Sequence, residues 1–291
     1  MNEKTLQDNA QKGGIAYSLM LFLMIILSLI SGIINESTNA SEILKKSLGG
    51  IASTLAIFLT LLIMKGQCKN DFKNMLLVEK TQVKYYAIAI LFSVSMFFGL
   101  GFINTVITNF LQSLSVNASS VSLSINTKKE LIIYIIVFAL LPAIFEELFF
   151  RGMILGYLRG GGLILSSLVS SLVFSLYHCS VAQLVYQFVY GLGLALLVKM
   201  SKSILPSILS HFLNNFSVIM LEYLKIQIDL TNDYYILGGI IGLGLFIFIC
   251  IKIISGKQEK RKKGVHFDFF MPFGLFGILI CISIIIAGMM I

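Results

Sequence analysis

Glu146, Glu147 and Arg151 stand within six positions of one another inside a long apolar run, LIIYIIVFALLPAIFEELFFRGMILGYL, at residues 131–158. A charged side chain at the centre of a bilayer costs about 2.5–3.5 kcal/mol on insertion scales, so such residues are rare in spans unless they pair or do chemistry. Glu147 and Arg151 are spaced i,i+4 with the acid first, the favourable order for a helical ion pair. Glu146 points about 100° away around the helix, which leaves it without that arginine and makes it the free carboxylate, suited to act as a general base. The bland alternative places all three at a helix end among lipid headgroups, where charge is cheap.

Two of the three histidines also lie in apolar runs. His178 ends LILSSLVSSLVFSLYHCS, with Phe174 one turn earlier on the same face. His211 sits in ILPSILSHFLNNFSVIM, with Asn215 one turn later on the same face. A lone histidine in a membrane helix is usually a satisfied interhelical hydrogen bond; two of them, with an Asn and a carboxylate pair, point to a site. Asn214 is a second polar candidate beside Asn215, and Tyr177, Tyr186 and Tyr190 fit packing as well as ligation. His266 falls in a basic segment and receives no role.

This set admits two chemistries. A carboxylate and an imidazole can hold and deprotonate a water that attacks a carbonyl, while a second imidazole and an amide stabilise the oxyanion. Glu146, His178 and His211 could equally ligate a divalent metal such as zinc, although no HExxH pattern is present.

The elements that must position these residues are membrane helices. The chain has 291 residues, of which 57% are hydrophobic and 12% charged, and a mean hydropathy of +0.92. That composition excludes a soluble domain of this size. Apolar runs near 20 residues long predict an all-α, polytopic transmembrane helical bundle rather than a barrel. They fall near 15–34, 48–64, 85–110, 131–158, 163–181, 182–199, 204–225, 234–254 and 270–291, so eight or nine spans are expected. Three parts follow: 1–127 with about three spans, 128–226 with about four spans and nearly all the unusual chemistry, and 227–291 with a helix pair joined by the basic loop KQEKRKKG.

A net charge of +8 could mean nucleic acid, but the basic residues sit in short loops between spans. With nine spans and a cytoplasmic N-terminus, 17 Lys and Arg lie inside and five outside, so the C-terminus is expected outside. The basic loop is expected against anionic headgroups. The four cysteines, Cys68, Cys179, Cys250 and Cys281, show no CxxC spacing and are read as reduced. Ser167, Ser171, Ser175 and Cys179 make a small-residue stripe that admits a neighbouring helix, and Gly191 and Gly193 can do the same.

The three motifs, Glu146-Glu147-x-x-x-Arg151, Phe174-x-x-x-His178 and His211-x-x-x-Asn215, in that order on separate spans, resemble those of the CPBP family. These are the CAAX-protease and bacteriocin-processing intramembrane proteases, also called the Abi family. The resemblance covers roughly residues 130–220. It implies an intramembrane endopeptidase in which Glu146 is the catalytic base and His178 helps bind the attacking water. His211 and Asn215 would form the oxyanion hole, with Glu147, Arg151 and Phe174 in support. Family members are described both as metalloproteases and as metal-free glutamate proteases; the metal-free form is preferred here.

Eukaryotic relatives trim prenylated CAAX proteins, and bacterial ones are linked to bacteriocin maturation, self-immunity and scaffolding. The Ile-, Lys- and Asn-rich composition fits an AT-rich bacterial genome, a plasma-membrane location and a membrane-associated peptide or protein substrate. A non-catalytic scaffold or immunity protein, and a proton-coupled transporter using the same acids and histidines, are the competing classes. Depth sets a condition on any shared site: at 1.5 Å per residue Glu146 lies about 22 Å along its span, and it meets His178 only if its helix runs on past Arg151 to about Leu158.

Overall fold

The computed structural model describes residues 3–68, 72–116, 124–226, 233–255 and 265–290. Among these the chain is helical and contains no strand. The helices are α1 (Glu3–Ser37), α2 (Glu42–Cys68), the short α3 (Phe72–Leu76), α4 (Val83–Ser113), α5 (Lys128–Tyr157), α6 (Leu163–Tyr177), α7 (Leu184–Ser201), α8 (Leu205–Leu224), α9 (Asp233–Ile254), the short α10 (Val265–Phe269) and α11 (Leu275–Met290).

Seven stretches, within α1, α2, α4, α5, α7 and α9 and over Phe267–Met289, are long and apolar enough to cross a membrane. The apolar helix Ile164–Tyr177 is shorter. The twenty residues of α8 are long enough, but His211, Asn214, Asn215 and Glu222 dilute their apolarity. Together these match the nine apolar runs of the sequence. Large apolar side chains such as Phe22, Ile33, Val94, Ile240, Phe248 and Phe276 are exposed on the outside of the bundle. A surface of that kind is stable against lipid and not against water, which makes this an integral membrane protein.

α5 starts at a capping box. Thr127 accepts the backbone N–H of Glu130, and the Glu130 carboxylate accepts that of Thr127, so two otherwise orphaned donors are satisfied. The helix then widens twice into π-helical turns, at Ile135–Leu140 and Glu147–Ile154, on either side of an α-helical segment that begins next to Pro142. Proline has no N–H to give the helix, and π-turns occur often at functional sites. α5 continues past Arg151 to Tyr157, a 3-10 turn follows at Arg159–Gly161, and Gly162 takes a φ of 84° before α6 begins. Only glycine adopts that backbone without strain.

Four apolar clusters hold the helices together, and two of them are the largest. One joins α1, α2, the second half of α5, α6 and Phe269 with Cys281 near the C-terminus. The other joins α4, α7 and α9 through Phe92, Met96, Tyr190, Leu194 and Phe246. Three buried serines of α6 are spent on backbone: Ser166 donates to the Leu158 carbonyl (2.6 Å), Ser170 to that of Phe150 (2.9 Å) and Ser171 to that of Ser167 (2.6 Å). The expected close approach is visible at Gly191, where a Cβ would stand 3.0 Å from Phe174 and 3.4 Å from Ser171. Gly193 does the same against α4 and α9, where a Cβ would overlap the Phe92 ring and stand 3.0 Å from Phe246. Cys179, Cys250 and Cys281 are free thiols. The basic loop KQEKRKKG and the side chains of Cys68 and His266 lie outside the described residues.

Candidate active site

The expected Glu147–Arg151 pair forms, and it forms in the interior. Arg151 Nη1 donates to Glu147 Oε1 at 2.9 Å, and both side chains are 0% exposed. The alternative of a charged helix end among headgroups fails because α5 runs on for six residues beyond Arg151. The guanidinium also donates through Nη2 to the Gly191 carbonyl (3.2 Å) and lies 4.0 Å over the ring of Phe174.

α8 brings His211 against both carboxylates. Its Nδ1 is 3.0 Å from Glu147 Oε1, the oxygen that Arg151 also uses, and its Nε2 is 3.8 Å from Glu146 Oε2. The first distance is a hydrogen bond and fixes the proton on Nδ1. The second is too long for one, so Nε2 and Glu146 face each other without a direct hydrogen bond. Glu146 is 7% exposed, and its Oε2 is buried with no hydrogen-bond partner among the described residues. Glu147 Oε2 and Arg151 Nε share that condition. Each unsatisfied buried group costs about 1–3 kcal/mol, and their concentration around one point marks a site that is organised for a ligand or a reaction.

Phe174 is the hub. Completely buried, it takes the Arg151 guanidinium on its face, and its ring centroid lies 4.9 Å from that of His178 and 6.0 Å from that of His211, both edge to face. His178 closes α6 with its Nδ1 2.9 Å from the Phe174 carbonyl, leaving Nε2 free of the backbone. Tyr177, its neighbour, sits beside Glu146 and Ser53. The structure therefore gathers Glu146, Glu147, Arg151, Phe174, His178 and His211 from α5, α6 and α8.

Asn215 has a job that its sequence neighbours did not announce. Its Nδ2 donates to the Phe138 carbonyl at 3.3 Å. In an α-helix that carbonyl would bond the N–H of residue 142, and residue 142 is proline. Asn214 links Asn215 to α7, accepting from the Tyr186 hydroxyl (2.7 Å) and reaching Asn215 Oδ1 (3.5 Å). Tyr190 packs its ring 5.9 Å from His211. In the sequence Asn214 already stands out as a second polar candidate beside Asn215, whereas Tyr186 and Tyr190 fit packing as well as ligation.

Among the described residues no three His, Cys, Asp or Glu side chains are grouped as a metal site would require. His211 Nδ1 is committed to Glu147 and His178 Nδ1 to a backbone carbonyl, so two Nε2 atoms and Glu146 are the remaining donors.

No curated protein matches the chain. Residues 128–217, which contain every residue of the cluster, match the family model described as Type II CAAX prenyl endopeptidase Rce1-like. Over those residues the chain is similar to the Rce1-like CAAX endopeptidases, in agreement with the CPBP proteases that the three motifs resemble.

Proposed function

We propose that the protein is an intramembrane endopeptidase that hydrolyses a peptide bond in a membrane-associated peptide or protein. The observation that carries this is the His211 imidazole suspended between two buried carboxylates, 3.0 Å from one and 3.8 Å from the other. Glu147 and Arg151 neutralise each other, so the buried pair adds no net charge to the dry core.

The reaction follows from these positions. Glu146 takes a proton from a water whose other hydrogen is held by His178 Nε2, and the water oxygen bonds to the substrate carbonyl carbon. The carbonyl oxygen becomes an oxyanion, which accepts hydrogen bonds from His211 Nε2–H and from the second hydrogen of Asn215 Nδ2. When the tetrahedral carbon collapses, the C–N bond breaks and Glu146 returns its proton to the leaving amine. Glu147 keeps the His211 ring oriented, and Arg151 keeps Glu147 in place. No metal takes part in these steps.

The N-terminus is assigned to the cytoplasm and the C-terminus to the outside of a bacterial plasma membrane, from the excess of Lys and Arg in the segments that would then face the cytoplasm. A peptide bacteriocin or a membrane protein is the preferred substrate class, with processing or self-immunity as the role. The test is cleavage of membrane-anchored peptides by the reconstituted full chain. Wild type cuts and Glu146→Gln does not; equal cutting by both ends the proposal.

A further inference from the structure

α7 sets two tyrosines, one helical turn apart, against the part of α8 that carries His211 and Asn215. The ring of Tyr190 lies 5.9 Å from that of His211, and the ring of Tyr186 lies 6.0 Å from that of Tyr190. Tyr186 packs against the apolar cluster of α4, α7 and α9. Its hydroxyl reaches out of that cluster to Asn214 Oδ1 at 2.7 Å. Asn214 is itself buried, so losing that donor leaves its oxygen at the cost of an unsatisfied group.

The direction of every bond from Tyr186 to Asn215 is fixed from one end. A backbone carbonyl can only accept, so Asn215 must turn its Nδ2 towards the Phe138 oxygen, as it does at 3.3 Å. Asn215 Oδ1 then faces Asn214, which must answer with its own Nδ2 (3.5 Å). That leaves Asn214 Oδ1 for Tyr186, and an amide oxygen carries no hydrogen, so the tyrosine donates. Reversing either amide would set oxygen against oxygen. The chain of bonds therefore runs in one direction only, from the Tyr186 hydroxyl through two amides to the carbonyl beside the Pro142 bend.

We infer that Tyr186 and Asn214 are positioning residues that hold the Asn215 amide in one orientation, with the second hydrogen of Nδ2 left for the oxyanion. Neither touches the reacting atoms. The inference rests on the hydrolase reading, in which Asn215 is an oxyanion donor. Because that donor bonds to a charge that develops only during the reaction, its misplacement slows turnover without weakening substrate binding.

The test assays the reconstituted full chain on a pool of lipid-anchored peptides, identifies the new termini, and takes the fastest-cut peptide for kinetics. Tyr186→Phe keeps the ring and removes only the donor; it should lower kcat at least about tenfold and leave KM within about twofold. Asn214→Leu should act in the same way, with Asn214→Ala as the alternative if that variant fails to fold. The double variant should be no slower than the Asn214 variant alone, because both changes act along one path. Tyr223→Phe, which removes a hydroxyl further along α8, should cut at the wild-type rate. In detergent, Tyr186→Phe should lower the unfolding temperature of the wild type more than that of the Asn214 variant. Unchanged kcat in folded Tyr186→Phe, a change in KM alone, losses that multiply in the double variant, or an equal loss in Tyr223→Phe would overturn the inference while leaving the hydrolase reading intact. A wild type that cuts no peptide would contradict the hydrolase reading and the inference with it, and the unfolding temperatures would still report whether Tyr186 holds Asn214.

Discussion

Nδ1 of His211 stands 3.0 Å from Oε1 of Glu147, and the same oxygen takes the Arg151 guanidinium at 2.9 Å. One carboxylate oxygen thus ties together a residue of α8 and a residue one turn further along α5. The adjacent Glu146, rotated around the helix, is left with an unpartnered oxygen opposite the other nitrogen of the same imidazole.

Removing one member of the buried pair strands the other. Arg151→Met should destabilise the protein by about 3–5 kcal/mol, read from thermal or denaturant unfolding in detergent. Combining it with Glu147→Gln should cost clearly less than the two single changes summed, because no charge then remains uncompensated. Additive losses would show that the two side chains are not coupled.

Asn215 and Pro142 share the Phe138 carbonyl, one by supplying a donor and the other by lacking it. Pro142→Ala restores a backbone N–H, so Asn215→Ala should cost less stability in that background than in the wild type. A double-mutant cycle should give a coupling of about 0.5–3 kcal/mol. Zero coupling would mean that Asn215 does not hold that carbonyl.

Gly191 lets α7 lie against the charged core. A Cβ there would stand 3.1 Å from Arg151 Nη2 and 3.0 Å from the Phe174 ring. Gly191→Ala should therefore cost about 1–3 kcal/mol and lower peptide cleavage with it. At Gly244 a Cβ meets nothing within 4 Å, so Gly244→Ala should change stability by no more than about 0.5 kcal/mol.

The proposed reaction needs no metal, which can be checked directly. Purified protein should contain less than one equivalent of any divalent ion, and its cleavage activity should survive chelator treatment. Loss of activity on chelation with recovery on adding zinc would assign Glu146, His178 and His211 to a metal instead.

Much of the fold could be read from apolar run length, because a backbone in lipid must satisfy its own hydrogen bonds and therefore becomes helical. The Glu147–Arg151 pair was legible for a similar reason: buried charge leaves few choices, and i,i+4 spacing supplies a partner. Depth was harder. Arg151 looked like a plausible span end until α5 was seen to continue to Tyr157, which carries both acids into the interior. The bond from Asn215 to Phe138 could not be read, since it depends on which α8 face meets the Pro142 bend. Nor could the link from Tyr186 through Asn214, because local periodicity makes a tyrosine in an apolar helix look like packing.

The most direct measurement of the central claim compares the peptide termini of a membrane proteome containing the wild type with one containing Glu146→Gln. The account predicts a defined set of cleavages present with the wild type and reduced at least about a hundredfold in the variant, with the variant folded and present at the same level. Identical termini in both membranes, with both proteins folded, would contradict it.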